Sequence, residues 1–461
     1  MTKERGSTIS SCSSVSGSGH GDAGGAGAGG GGSDLSVTKG ISVYMAAFFL
    51  IAQMAGAGFL ALPRALADVG WLGIPMMIVF CVSVGFTGTR LGKSWVILEE
   101  RWPEVYKGRC RQPYSEIAYR ALGKVGGKFT QYIVVIKLMG TTTVYVILTS
   151  ELIHRIVQHA TDNTCVLSQC HLILIVGAAM VPLTWLGTPK DFWQASVLAV
   201  LATVVAIIVI IVEMFTSDSF PSEPPTYPNP TVKSFSLGFG AILYAFGGSA
   251  VFPTIQNDMA NRSLFWMSVI GGFAGILTLY LPVSITGYVM VGDAVESNIL
   301  LMLPVNAAVL VAIAMETINI VGTYIISFNP VAQSLEQAFN LPSRFGWQRC
   351  VLRTSLVIIQ IFIGLAIPNF GKILDLLGGS LITFVTFVLP PLMYMKLIDD
   401  KNPKWRERNI ETWERMYLIF IMTVGIVGGI LSTITATYEI IVTSFDNTCF
   451  LNFNDCPNSY E

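Results

Sequence analysis

Apolar residues in this chain neither alternate nor recur on one helical face; they continue for the length of a membrane crossing, stop at a few polar or proline-rich positions, and resume. A helix rising 1.5 Å per residue needs about 20 apolar residues to cross roughly 30 Å of hydrocarbon. Segments of that kind lie at 41–66, 71–97, 129–153, 171–187, 191–213, 235–257, 264–290, 305–329, 350–368, 371–396 and 414–442. They predict an all-α polytopic membrane protein of about eleven transmembrane helices. The first segment lies too far into the chain and is too long for a secretory leader, and no small-residue cleavage site follows it. It is expected to stay in the mature protein.

Composition agrees. Of 461 residues 52% are hydrophobic and 12% charged, with a mean hydropathy of +0.61. Soluble domains carry about 25% charged residues, so this chain lacks the polar surface to cover a globule of its length. A net charge of -1 argues against a nucleic-acid partner, which needs a concentrated excess of Lys and Arg.

The distribution of charge says more than its total. With the N-terminus in the cytosol, the cytosolic segments hold Arg101, Lys107, Arg109, Arg111, Arg120, Lys124, Lys128, Lys190, Arg262, Arg344, Arg349 and the cluster Lys401, Lys404, Arg406, Arg408. The opposite side keeps Arg155, Lys233 and Lys372, with Arg64 at the end of the first segment. The positive-inside rule therefore sets the orientation, and an odd number of spans puts the C-terminus outside. Cys165, Cys170, Cys449 and Cys456 then all fall on the non-cytosolic face, where disulfides persist. Four such cysteines allow three pairings.

Residues 1–39 are Ser- and Gly-rich with little to bury, and read as a disordered cytosolic tail; 40–443 form the transmembrane domain and 444–461 a non-cytosolic tail. Pro221, Pro224, Pro225, Pro228 and Pro230 mark an outer linker between the fifth and sixth spans. No dileucine or tyrosine sorting signal stands out in the cytosolic tail, which favours the plasma membrane over a lysosomal or vesicular one.

Two interruptions carry the functional signal. Gly56 and Gly58 sit within the first span in AQMAGAGFLALP, with Pro63 five residues after Gly58; Gly247 and Gly248 sit within the sixth in YAFGGSAVFP, with Pro253 five residues after Gly248. Glycine admits backbone conformations a helix does not use, and proline removes a donor. Backbone groups freed inside a bilayer must line a cavity or find partners. One such glycine pair is ordinary close packing of small residues; two matching breaks five spans apart point to an inverted repeat with discontinuous helices, the architecture of secondary transporters that bind cargo near the midplane. Freed amides at half-helix N-termini suit a carboxylate, and freed carbonyls suit an ammonium. An amino acid offers both. Ala55, Gly56, Ala57, Gly58, Tyr244, Phe246, Gly247 and Gly248 are the candidate substrate-binding residues.

The same runs resemble the amino acid/auxin permease family. Gly56, Gly58, Leu60 and Leu62-Pro63, the sixth-span FPTIQNDM (Phe252–Met259), the cytosolic PYSEIAYRALG (Pro113–Gly123), PNFGKILDLLGG (Pro368–Gly379) and Leu389-Pro390-Pro391 carry the likeness in order across about 40–440. The resemblance implies eleven spans, a five-plus-five inverted repeat as in the amino acid/polyamine/cation superfamily with one extra C-terminal helix, and proton- or sodium-coupled amino acid movement. The nearest subgroup is the proton-coupled and vesicular neutral amino acid carriers. Arg64 stands where an uncharged residue is more usual; Asp68, four residues on, is its expected partner.

Charges within spans are functional candidates by default. Lys137 in the third span and Glu316 in the eighth both lie roughly 13–15 Å deep. Either they couple an ion to transport, Glu316 as a proton carrier, or they form a packing ion pair with each other, or either one snorkels to the membrane surface. Asn319, Thr323 and Ser327 follow Glu316 on one side of its helix and offer oxygens for sodium, or plain interhelical hydrogen bonds. No His/Cys cluster has metal-ligand spacing, no nucleophile motif or nucleotide loop occurs, and nothing implies a cofactor, catalysis or a particular protein partner. The expected partners are an amino acid, a proton or sodium ion, and the bilayer. A transporter-like sensor with little flux is the alternative, and a channel is disfavoured by the absence of a pore-loop signature.

Overall fold

The computed structural model describes residues 40–106, 108, 110–161, 167–185, 192–217, 224–341, 346–444 and 448–451. The N-terminal tail, Cys165, Cys456 and Pro221 lie outside these residues. Regular structure among them is helical, apart from isolated bridges pairing Ile41 with Met259 and Thr226 with Gly292. The helices are α1 (Val43–Met54), α2 (Gly58–Val69), α3 (Gly73–Arg101), α4 (Pro103–Tyr106), α5 (Pro113–Ala160), α6 (Gln169–Trp185), α7 (Phe192–Thr216) and α8 (Val232–Ala245). They continue with α9 (Phe252–Asn257), α10 (Phe265–Val291), α11 (Ile299–Met302), α12 (Ala307–Ala338), α13 (Trp347–Ala366), α14 (Phe370–Leu377), α15 (Leu389–Asp399) and α16 (Thr412–Ser444). Among the described residues nine helical stretches are long and apolar enough to cross a membrane, and Val43–Met54 and Gln169–Trp185 are shorter apolar helices. The protein is an integral membrane protein. Exposed apolar side chains such as Val82, Ile208, Phe362 and Ile434 face the lipid, while polar groups turn inward.

Each predicted segment falls on helix, with two departures in detail. The third is joined at its start to a helix over the motif 113–123, which Pro113 opens as a pre-set first-turn residue, the whole running Pro113–Ala160. Gly123 breaks it internally at φ 79°, a conformation only glycine adopts readily, so two helices meet there at a bend. The tenth segment is not a plain helix either: wide π turns at Gly378–Ile382 and Phe384–Val388 separate α14 from α15. A side chain at Gly378 would lie 1.9 Å from the Gly240 carbonyl oxygen, so only glycine lets this segment press onto α8.

The halves of the first span lie at the centre. α2 packs against α8 and α10, α1 against α10 and α7, and α12 against α5 and α7. The final helix α16 flanks α8, α14 and the π segment. One buried cation is neutralised locally: Arg353, 1% exposed, donates through Nε to Glu336 at 2.7 Å, through Nη1 to the Thr184 carbonyl at 2.5 Å and through Nη2 to Asn329 at 3.2 Å. Arg90 and Glu414 pair likewise at 2.5 Å.

Of the candidate cysteines, Cys170 and Cys449 form a disulfide. It ties the start of α6 to the segment beyond α16, where the Cys449 amide donates to the Leu365 carbonyl at 3.0 Å and Phe450 meets Phe362. The bond closes a separation of 279 residues. Cys449→Ser is expected to lower stability by about 2–4 kcal/mol, read as a fall in apparent melting temperature. Cys170→Ser should give the same fall and the double variant no more.

Candidate functional site

The two breaks meet. α1 ends at Met54, residues 55–57 turn, and α2 restarts at Gly58; α8 ends at Ala245, and the chain passes through Phe246, Gly247 and Gly248 into a short 3-10 turn and α9. Their packing is reciprocal. A Cβ on Gly58 would lie 2.6 Å from Cα of Ala245, and one on Gly248 would lie 2.8 Å from Cγ of Met54. Each break is therefore admitted by a glycine whose missing side chain makes room for the last residue of the other half-helix. Gly247 abuts Ile382 of the π segment, and Gly56 abuts the Tyr145 hydroxyl. Neither restart at Gly58 nor at Ser249 has a side-chain cap, which leaves N-terminal amides of both without that partner.

One side chain joins the two ends. The Tyr280 hydroxyl, on α10, lies 2.7 Å from the Met54 carbonyl oxygen and 3.2 Å from that of Ala245. Its ring packs against Phe246. Tyr244, a candidate from the sequence, is buried beside the break, and its hydroxyl has no hydrogen-bond partner among the described residues. Ala55 and Ala57 are buried within the turn.

The polar residues of α12 are placed against the first break. Asn319 Nδ2 donates to Thr203 Oγ1 at 3.0 Å, to Glu316 Oε1 at 3.3 Å and to the Ala55 carbonyl at 3.4 Å, while Thr203 donates to the same carbonyl at 3.0 Å. Reversing the Asn319 amide would set its oxygen against the Ala55 carbonyl oxygen, which can only accept, so the donor orientation suits this position. Glu316 is 0% exposed, and its Oε2 has no hydrogen-bond partner among the described residues. Thr323 donates back to the Asn319 carbonyl at 2.9 Å, and Ser327 accepts from Gln53 at 3.1 Å. Lys137 is buried on α5 but forms no ion pair with Glu316 among the described residues. Equal depth in the membrane does not mean facing sides of two helices.

A cavity of about 1410 Å³ is lined by Arg111, Ser115 and Gln337 and, beside the breaks, by Ala52, Gln53, Asn319 and Ala250; none of the eight candidate substrate residues lines it. Arg111 and Ser115 belong to the segment that the charge pattern assigns to the cytosol. Arg64, on the opposite side by the same charge pattern, pairs with Asp68 at 2.9 Å, as its spacing predicts, and its Nη1 donates to the Asp293 and Val295 carbonyls, each at 3.0 Å. Glu151 is half-buried near that end of α5 and accepts the Phe370 amide at 3.2 Å. Tyr280, Thr203, Tyr145 and Glu151 carry no local signature, because the segments packed against them are distant in the chain.

Comparison with known proteins adds to this geometry. The sequence profile of the transmembrane amino acid transporter protein family matches residues 39–435. The chain is 27% identical to amino acid transporter AVT1B of Arabidopsis thaliana over 418 residues, covering 88% of this chain and 73% of that one. It is 26% identical to amino acid transporter AVT1J of the same plant over 406 residues, covering 86% and 89%. The fold is similar to that of a crystallised Eremococcus coleocola manganese transporter, with a TM-score of 0.50 at 14% identity, covering 93% of this chain and 91% of that one.

Proposed function

From the membership of this chain in the transmembrane amino acid transporter protein family, we propose that it is a secondary active amino acid transporter, driven by a proton, that holds its cargo at the breaks of the first and sixth spans. The observation that carries this reading is the reciprocal packing of the two breaks. It brings the carbonyl ends of α1 and α8 together with two uncapped helix starts in the middle of the bundle. Opposite helix ends at one point offer partial negative charge to an ammonium and partial positive charge to a carboxylate. A cavity lined by Arg111 and Asn319, with the Arg64 contacts towards the opposite side, supports an inward-facing state of an alternating-access cycle.

The proton is favoured over sodium because of the first break's own hydrogen bonds. A sodium ion bound between α1 and α12 would need the Ala55 carbonyl, which already accepts from Thr203 and Asn319. Glu316, beside them, has an oxygen free to carry a proton. The disulfide suits an oxidising outer face, in keeping with a plasma-membrane protein whose C-terminus is outside.

Purified protein in liposomes loaded with one amino acid should exchange it for labelled amino acid outside. Replacing sodium with choline throughout should change the rate by less than about 2-fold. Saturable binding without exchange would make the chain a sensor, and a rate that collapses in choline would restore the sodium reading.

A further inference from the structure

The last carbonyl of α1 and the last carbonyl of α8 converge on a single hydroxyl, that of Tyr280, at 2.7 and 3.2 Å. Tyr280 is 0% exposed, so no bulk water supplements it. A tyrosine hydroxyl has one hydrogen to donate, and the ends of two helices each carry about half a unit of negative charge. One neutral donor shared by two such ends leaves them under-donated. The chemistry that completes this arrangement is a cation with several N–H groups. A primary ammonium, with three donors, can serve both carbonyls at once.

We propose that the Tyr280 hydroxyl is a built-in stand-in for the substrate's ammonium group. It is the shared donor to the carbonyls of Met54 and Ala245 in the empty carrier, and the arriving ammonium displaces it. The idea rests on the transport reading above and adds a competitor to it: every binding event must break the Tyr280 hydrogen bond, and every release reforms it. The tyrosine thereby loosens the substrate and speeds its departure. It is a positioning residue that prevents the empty break from collapsing and the loaded one from trapping its cargo.

The sign of the effect separates this role from a plain strut. In Tyr280→Phe the empty carrier has two buried carbonyls without a donor, a cost removed only when the ammonium binds. Substrate affinity should therefore rise by about 3- to 10-fold, with a matching fall in maximal transport rate as release slows. An N-acetylated analogue of the same amino acid, which lacks the ammonium, should gain nothing. A strut would instead give weaker binding or none. Should the variant not fold, 3-fluorotyrosine placed at position 280 of the otherwise unaltered protein decides: its fluorine resonance should move on adding the amino acid and stay on adding the N-acetylated analogue. Unchanged or weaker binding in a folded Tyr280→Phe, or a resonance that ignores the amino acid, overturns the proposal. If the unaltered protein carries no amino acid at all, it is the transport reading that fails.

Discussion

Glu316→Gln is expected to leave amino acid exchange running while abolishing uphill accumulation driven by a pH gradient. Glu316 is fully buried; its only side-chain hydrogen bond among the described residues comes from Asn319, and no cation pairs with it. An unpaired carboxylate in hydrocarbon costs several kcal/mol, so a carrier that changes its exposed side does so with the proton aboard. Glutamine is nearly the same shape, keeps an oxygen for the Asn319 amide, and cannot change charge. The cycle should then equilibrate the amino acid without concentrating it. Accumulation in liposomes with an acidic exterior would fall from many-fold to about 1-fold, and uptake would lose its dependence on external pH. Retained pH-driven accumulation would move the coupling site elsewhere, with Glu151 the next carboxylate to test.

Gly58→Ala should reduce transport on the order of 100-fold without removing the protein from the membrane. The added methyl would sit 2.6 Å from Ala245 Cα and 3.0 Å from its Cβ. The first of these is backbone and cannot rotate away, so α2 and α8 must separate. Overpacking of this kind costs about 1–3 kcal/mol, too little to unfold a protein of this size. A displacement of about 1 Å between groups that must close on one small molecule costs far more in rate, about 100-fold. Gly271→Ala on the lipid side of α10 supplies the control, since its Cβ would meet only Ala47 Cβ at an ordinary 3.8 Å. Equal loss in both variants would mean that glycine content, not the contact between the breaks, was being tested.

How much of this the sequence disclosed depends on whether the signal was local. The breaks were legible because Gly56, Gly58 and Pro63, and Gly247, Gly248 and Pro253, stand within runs that otherwise have no reason to bend. The Arg64–Asp68 pair was legible for the same reason, being one helical turn apart. Tyr280 was not: an aromatic in an apolar span reads as packing until the carbonyls of two other spans are placed against it. Nor was the relation of Lys137 to Glu316, because counting residues gives depth but not which way a helix is turned. The cysteines illustrate the same limit. Position along the chain put Cys170 and Cys449 on one face of the membrane and left three pairings open, and only the packing of α6 and α13 brings these two together.

The central claim is that an amino acid and a proton cross together. Its most direct test is to record pH inside sodium-free liposomes carrying the protein, at constant membrane potential, while an amino acid is added outside. The account predicts that the interior acidifies as labelled amino acid enters, in fixed proportion, and that Glu316→Gln admits the amino acid with no change in pH. Entry of the amino acid into liposomes of the unaltered protein without acidification would contradict it.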